Sequence, residues 1–343
     1  MQLTDFQFDL PEELIAKYPA EERSDSRLLC LGADKELRHL KFHELIQEVN
    51  KGDLLVLNDT SVIPARLFGQ KSTGGLVEIL VERVLSTERI LAQVRVSKPP
   101  RIGDFIQFPN DVQLEVMGRV ENFYELRYVH PDRSILDVIE DIGHIPLPPY
   151  MRREADETDK ERYQTVYARY KGSVAAPTAG FHFDEAMLQA LKEKGVEIGY
   201  LTLHIGAGTF APVRVENIHD HKMHAEYLIV PESLCEKIRH TKSRGNRVVA
   251  VGTTSLRALE TACQGGEIAP YQGETSIFIY PGYTFRCADA LITNMHLPCS
   301  TLLMLVCAFS GYERVMHAYQ EAVRHGYHFY SYGDAMWMTR QIA

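Results

Sequence analysis

The chain has 343 residues, 45% hydrophobic and 24% charged, with a formal net charge of −9. That length predicts two domains, since one core seldom grows past roughly 250–300 residues, and the composition excludes disorder by bias. The acidic balance argues against nonspecific nucleic-acid binding over the whole surface. The longest apolar run, Leu302 to Phe309, is too short to span a bilayer, so no membrane partner is expected.

The opening MQLTDFQFDLPEEL is mixed and acidic, unlike a signal or transit peptide. Cys30, Cys235, Cys263, Cys287, Cys299 and Cys307 form no CxxC pair, which predicts reduced thiols in a cytoplasmic protein rather than a disulfide or zinc framework. A short helical piece, Phe42 to Asn50, precedes a strand over Asp53 to Leu57 that ends in Asn58-Asp59-Thr60. Arg23 to Arg27 and Pro64-Ala65-Arg66 supply charge nearby. Each of these segments fits a surface turn, and Asp59, after an apolar strand, is the least surface-like of them.

From Pro64 to Tyr150 the pattern changes to short β-rich runs, LVEILVERVL, ILAQVRV, DFIQF, VQLEVMGRV and FYELRYV. Gly, Pro, Asn and Asp space them, as in a small antiparallel barrel or sandwich. The prolines of IPLPPY close the segment. Residues 64–103 carry a charge balance of +4 and residues 104–150 one of −6. A local basic surface is compatible with that count, as are merely solvated strand faces.

After Arg162 helices and strands alternate. A helix follows Phe183, with Asp184 as N-cap and Gly195 beyond its end. Strands are predicted at Val196–Ile205, Glu226–Pro231, Arg247–Gly252, Ser276–Tyr280 and Asp289–Thr293, and helices at Pro231–Ser243, Ser255–Cys263 and Cys299–His325. The alternation predicts a mostly parallel α/β sheet. The expected fold is a large, discontinuous α/β domain (residues 1–63 and 151–343) with an inserted antiparallel β-barrel domain (residues 64–150).

The loops at strand ends carry the chemistry. LTLHIGAGTFAPV (201–213) ends a strand at His204 and presents Gly206, Gly208 and Thr209, while PTAGFHFD (177–184) holds His182 in similar surroundings. Such loops deliver backbone N–H groups to the ligand-binding edge of an open sheet. Gly252-Thr253-Thr254-Ser255 suits a carboxylate, phosphate or ribose at a helix start, or is a plain N-cap. Asn294 and His296 follow the strand ALIT, where a structural hydrogen bonder is the ordinary role for a histidine.

HDHKMHAE (219–226) invites a metal reading, but the spacing belongs to no strong ligand pattern and no second cluster completes a shell. His224 and Glu226 instead suit an acid–base or orienting pair. Gly206, Gly208 and Ala211 match GxGxxA, yet Pro212 and VRVENI deny that fingerprint its helix. Tyr330 to Asp334 is a polar loop after the last helix. GxSxG, P-loop and HExxH motifs are absent.

Together LVLNDTSVIPARL, GGLVEILVERVL, APTAGFHF, LHIGAGTFAPV, MHAEY, NRVVAVGTTSLRALE, IFIYPGY, TNMHLPCSTLLMLV and FYSYGDAMWM resemble the S-adenosylmethionine:tRNA ribosyltransferase-isomerases, the QueA family of queuosine synthesis. The resemblance runs in order from Arg23 to Met338. It implies a large α/β domain with an inserted barrel, and transfer with isomerisation of the ribosyl group of S-adenosylmethionine onto 7-aminomethyl-7-deazaguanine at the tRNA wobble position. Epoxyqueuosine-tRNA, adenine and methionine result. No metal or redox cofactor is implied, because the sulfonium compound is consumed as substrate. Phe181, Lys222, Met295 and Cys299 depart from residues common in the family, which weakens any chemical role for positions 222, 295 and 299.

Such a reaction needs a base for a C5′ proton, a proton donor for departing adenine and a neutral attacking amine. His182, His204, His224 and His296 are suitable types, with Glu226, Asp59 and Asp334 as carboxylates; base and acid stay unassigned among them. Phe181 or Phe210 would face the sulfonium, and Gly206, Gly208, Thr253 and Thr254 would hold a carboxylate or ribose. Thr178, Gly180, Thr209, Arg257, Asn294 and Thr301 complete the expected binding set. Arg66, Arg95, Lys98, Arg101, Arg152 and Arg153 are candidates for a tRNA track, since a wobble base is single-stranded and free to turn into a pocket. A monomer is expected. A nucleotide-dependent oxidoreductase and a noncatalytic RNA-binding protein are the alternatives, discriminated by reducible NAD(P) and by adenine release.

Overall fold

The computed structural model describes residues 1–33, 36–130, 132–210 and 212–341, and arranges them as a nine-stranded sheet, a closed six-stranded barrel and a two-stranded sheet. In spatial order the large sheet runs Tyr271–Thr275, Glu226–Val230, Glu197–His204, Leu54–Asn58, Val248–Val251, Ala290–Asn294, Ala335–Thr339, Arg27–Leu31 and Leu37–Lys41. Among the described residues, four of its eight neighbouring pairs are parallel and four antiparallel. The expected parallel character therefore holds for the four central strands and again where Ala335–Thr339 meets Arg27–Leu31. The remaining neighbours pair antiparallel, which requires no crossover helix.

The central strands are apolar on both faces because helices cover both. Leu54, Val56, Leu201, Leu203, Val248 and Ala250 share one core with helices Glu232–Ser243, Thr253–Ala262, Thr301–Ser310 and Tyr312–Arg324. Leu55, Leu57, Ile198, Val249, Val251 and Trp337 pack on the other face against helix Glu185–Glu193 and the 3-10 turn Phe42–Gln47. Each buried Val, Leu or Ile contributes about 1.5–3 kcal/mol there.

Helix Glu185–Glu193 begins as the sequence predicts, with Asp184 Oδ1 accepting the Met187 N–H at 2.7 Å. The segment expected as one helix from Cys299 to His325 is two helices, because Gly311 lies at φ +92°, ψ 132° between them. The strand expected at Ser276–Tyr280 is instead Tyr271–Thr275, paired with Glu226–Val230.

Strands Arg66–Lys71, Leu76–Val84, Arg89–Val96, Phe105–Gln107, Gln113–Val120 and Phe123–Tyr128 close the barrel. Val77, Ile79, Val81, Ile90, Ala92, Leu114 and Val116 fill it, and helix Ile135–Ile142 packs on that same core. In the large sheet, Glu197–His204, Leu54–Asn58, Val248–Val251 and Ala290–Asn294 are adjacent and mutually parallel. Their carboxyl ends therefore share one edge, and the loops that follow them meet there.

Candidate active site

One cavity at this edge is lined from five loops: Thr178 from the first, Thr209 from the second, Thr253, Thr254 and Arg257 from the third, Asn294 and His296 from the fourth, and Tyr330 with Ser331 from the last. Asn294, the final residue of its strand, is fixed from three sides. Thr178 Oγ1 donates to its Oδ1 at 3.0 Å, while its Nδ2 donates to His182 Nε2 and to the Tyr330 carbonyl, both at 3.1 Å. The network assigns the His182 proton to Nδ1, which faces Ser26 Oγ at 2.7 Å. The ring stacks on Phe42 with centroids 4.9 Å apart.

Burial holds His182 down to about 4 and His296 down to about 3. Burial thus favours the neutral imidazole in both, and each ring is engaged as a hydrogen-bonding group. His296 Nε2 lies 2.9 Å from Thr293 Oγ1, and its backbone N–H donates to the Tyr319 hydroxyl at 3.0 Å.

Strand Val248–Val251 ends at Gly252 (φ +88°), which caps helix Thr253–Ala262 without a side-chain acceptor. The first N–H groups of that helix are left for whatever fills the cavity. Beside them, Thr254 Oγ1 and Arg257 Nη2 are buried without a partner. Arg257 Nη1 donates to Glu226 Oε2 in an ion pair whose two side chains are each only 6% exposed. An unsatisfied guanidinium N–H, an unsatisfied hydroxyl and an uncapped helix start together present donors of the kind that a carboxylate accepts from.

A second cavity, lined by both Glu226 and Glu82, holds about 500 Å³ between barrel and sheet; His204, Gly206, Lys171 and Tyr227 line it as well. A Cβ at Gly206 would stand 2.2 Å from Glu82 Oε1, and one at Gly208 would stand 2.6 Å from His224 Cγ. Close approach explains both glycines. His224 itself is exposed, edge-on to Phe123.

His204 Nδ1 is 2.8 Å from Thr60 Oγ1, and burial lowers its pKa. It also lines a third cleft with Asp59, Arg169 and Lys237. Asp59 accepts from Thr202 Oγ1 at 2.7 Å, and burial raises its pKa. His204 and Asp59 thus face clefts other than the one that His296 lines.

Four expected binding residues have packing roles here. Gly180 leaves room for the Tyr167 hydroxyl, 2.1 Å from where a Cβ would be. Phe181 packs on Tyr163 and Tyr332, with the Arg23 guanidinium 5.9 Å from its ring. Asp334 accepts the Arg27 and His328 N–H groups, both at 2.8 Å, and Thr301 opens a helix capped by Ser300. The Phe210 side chain and Ala211 lie outside the described residues. His219 and His221 pack edge-on to Tyr280 and Phe278. Among the described residues no group of three His, Cys, Asp or Glu is placed to hold a metal.

Arg66, Arg95, Arg152 and Arg153 line one groove together with Arg214, and the groove reaches Ala207 in the glycine turn. Lys98 and Arg101 do not line it. Arg153 is held bidentately by the buried Asp159 at 2.6 and 2.8 Å, and Arg152 pairs with Glu12 at 2.5 Å. Sequence reasoning gave no site role to Arg214, Tyr150, Tyr330, Ser331 or Glu82. Tyr330 and Ser331 stood out only as part of the polar loop after the last helix, and Glu82 only as the point where the alternation of LVEILVERV fails.

The family model described as "queuosine biosynthesis protein" matches residues 3–338. A solved S-adenosylmethionine tRNA ribosyltransferase from Thermotoga maritima is 36% identical to this chain. That match covers 97% of this chain and 99% of the other, with a TM-score of 0.56.

Proposed function

Because the chain belongs to the queuosine biosynthesis protein family, we infer that it is an S-adenosylmethionine-dependent tRNA ribosyltransferase-isomerase. It transfers and isomerises the ribosyl group of S-adenosylmethionine onto 7-aminomethyl-7-deazaguanine in tRNA, releasing adenine and methionine. The observation that carries this reading is the pair of unsatisfied donors, Arg257 Nη2 and Thr254 Oγ1, beside an uncapped helix start. They receive the methionine carboxylate. Thr253 and Asn294 orient the ribose. Tyr150 and Tyr330, in tilted contact at the cavity wall, offer aromatic faces to the adenine and to the sulfonium cation.

The two cavities share the glycine turn, Ile205 and Thr209 facing one and Gly206 the other. The nucleoside occupies the first and the tRNA base the second, so the ribosyl carbon and the attacking amine meet between them. Residues 64–150 act as a unit inserted into the domain formed by 1–63 and 151–343, and the groove at their junction carries the anticodon strand. An oxidoreductase of the dinucleotide-binding type would need a helix directly after Gly206-Ala207-Gly208. Among the described residues the stretch that follows holds only the 3-10 turns Ala207–Phe210 and Ile218–Asp220 before the next α-helix, Glu232–Ser243.

The test is an anticodon stem–loop carrying the aminomethyl base. It should gain the ribosyl mass, with one adenine released per modified base, only when S-adenosylmethionine is supplied. Asn294→Ala should slow this roughly 10²-fold by freeing the residue that three partners fix. Wild-type protein that modifies nothing and releases no adenine would end the proposal.

A further inference from the structure

The inward alternation of strand Leu76–Val84 breaks at Glu82. Val77, Ile79 and Val81 point into the barrel core, but the register with Arg89–Val96 slips between Val81 and Arg83, leaving Glu82 as the extra residue. A bulge of this kind re-aims one side chain. Glu82 is turned onto the glycine turn and is 8% exposed. Its carboxylate lies against the Ala207 and Gly208 N–H groups, which favour its charged form. Its Oε2 nevertheless is buried with no partner, at the wall of the second cavity.

The cations around that cavity are committed elsewhere. Arg83 pairs with Glu274 and donates to the Ala225 carbonyl, Lys171 pairs with Glu140 at 2.5 Å, and Arg257 holds Glu226. One carboxylate oxygen therefore waits for a donor, and the complementary ligand is a small cation rich in N–H groups.

We propose that Glu82 is the catalytic base of the amine half-reaction, binding the primary ammonium of the aminomethyl base through its free oxygen and removing a proton. The assignment rests on the ribosyl-transfer reading above. The N–H bond breaks, its electron pair stays on nitrogen as the nucleophile, and the proton passes to Oε2. Nothing is oxidised or reduced. Burial supports the role by pushing Glu82 up to about 7, against the Ala207 N–H and with Glu226 adding to the rise. Arg83 on its own strand, Glu226, Tyr227, His204 and Lys171 are the charged or titratable groups that share this cavity. A base with a pKa near the working pH is well matched to proton transfer.

The experiment follows kcat/KM for the stem–loop from about pH 5.5 to about 9.5 in wild type, E82Q and E82D, with S-adenosylmethionine affinity measured alongside. Wild type should lose activity as pH falls through about 7. E82Q should fall about 10²–10³-fold near neutrality, lack that limb and recover as solvent deprotonates the amine at high pH. E82D should keep the limb, and all three should bind S-adenosylmethionine alike. An E82Q protein that retains the wild-type limb, or falls by one factor at every pH, overturns the assignment, as does an E82D protein without the limb. Wild type inert at every pH would overturn the ribosyl-transfer reading as well.

Discussion

The Glu226–Arg257 pair is the most consequential contact between single residues, because each charge is buried and has the other as its main neutraliser. Removing one partner strands the second in a poor dielectric. Glu226→Leu or Arg257→Leu alone should destabilise the fold by about 3–5 kcal/mol, and the double replacement by clearly less. Urea unfolding of the three variants decides this; a double variant as unstable as the sum of the singles would contradict it. His182 gives a pH dependence of known sign. Its folded pKa is depressed from 6.5 to about 4 by burial, so protonation favours the unfolded chain. The stabilisation is whole above pH 6.5 and is lost as pH falls toward about 4, with a slope of about 1.4 kcal/mol per pH unit. His182→Gln should flatten unfolding free energy across that window; an unchanged slope would mean that His182 is not held neutral. His182, His204 and His296 look alike in the sequence. Burial, tautomer and the neighbouring Asn294 or Thr60 separate their roles, and none of these is written in residue type.

At the scale of elements, local rules made most of the sheet legible. Strong alternation placed Glu197–His204 and Glu226–Val230 within a residue or two, and the Asp184 cap fixed the start of its helix. What escaped was decided by partners far away in the chain. Ala335–Thr339 is five residues long, too short for a period to declare itself, yet it pairs with both Ala290–Asn294 and Arg27–Leu31 inside the sheet. The helix break at Gly311 was visible as a glycine, but its mid-helix surroundings are apolar enough to hide it. Its φ of +92° with ψ 132° suits glycine only. Gly311→Ala should therefore cost about 1–3 kcal/mol although the residue touches no candidate site. A thermal midpoint equal to wild type would show that the two helices tolerate another connection. The bulge at Glu82 belongs here too, since pairing with Arg89–Val96 creates it and sequence periodicity registers only an anomaly.

Across the whole molecule, the proposed function requires an acidic chain to meet an anionic partner, and local charge is the means on offer. Arg66 and Arg95 come from barrel strands and Arg214 from the segment after the glycine turn, and they line one groove that reaches that turn. Arg66 and Arg95 share the single Glu78, at 3.5 and 3.4 Å, and Arg95 is 87% exposed. Replacing all three by Ala should weaken stem–loop binding and lower the magnitude of its salt slope by about 2, given roughly 0.7 per phosphate contact for a single strand. The sequence suggested a basic surface but could not say which arginines already hold carboxylates, as Arg153 holds Asp159. It also named the loops that meet, without showing that Glu226 and Arg257 stand between two cavities. The most direct measurement is diffraction from crystals soaked in S-adenosylmethionine. The nucleoside is expected in the cavity of Thr178, Thr254 and Asn294, with its carboxylate on Arg257 Nη2. Density for it in the Asp59–Lys237 cleft, or a carboxylate out of reach of Arg257, would contradict that assignment.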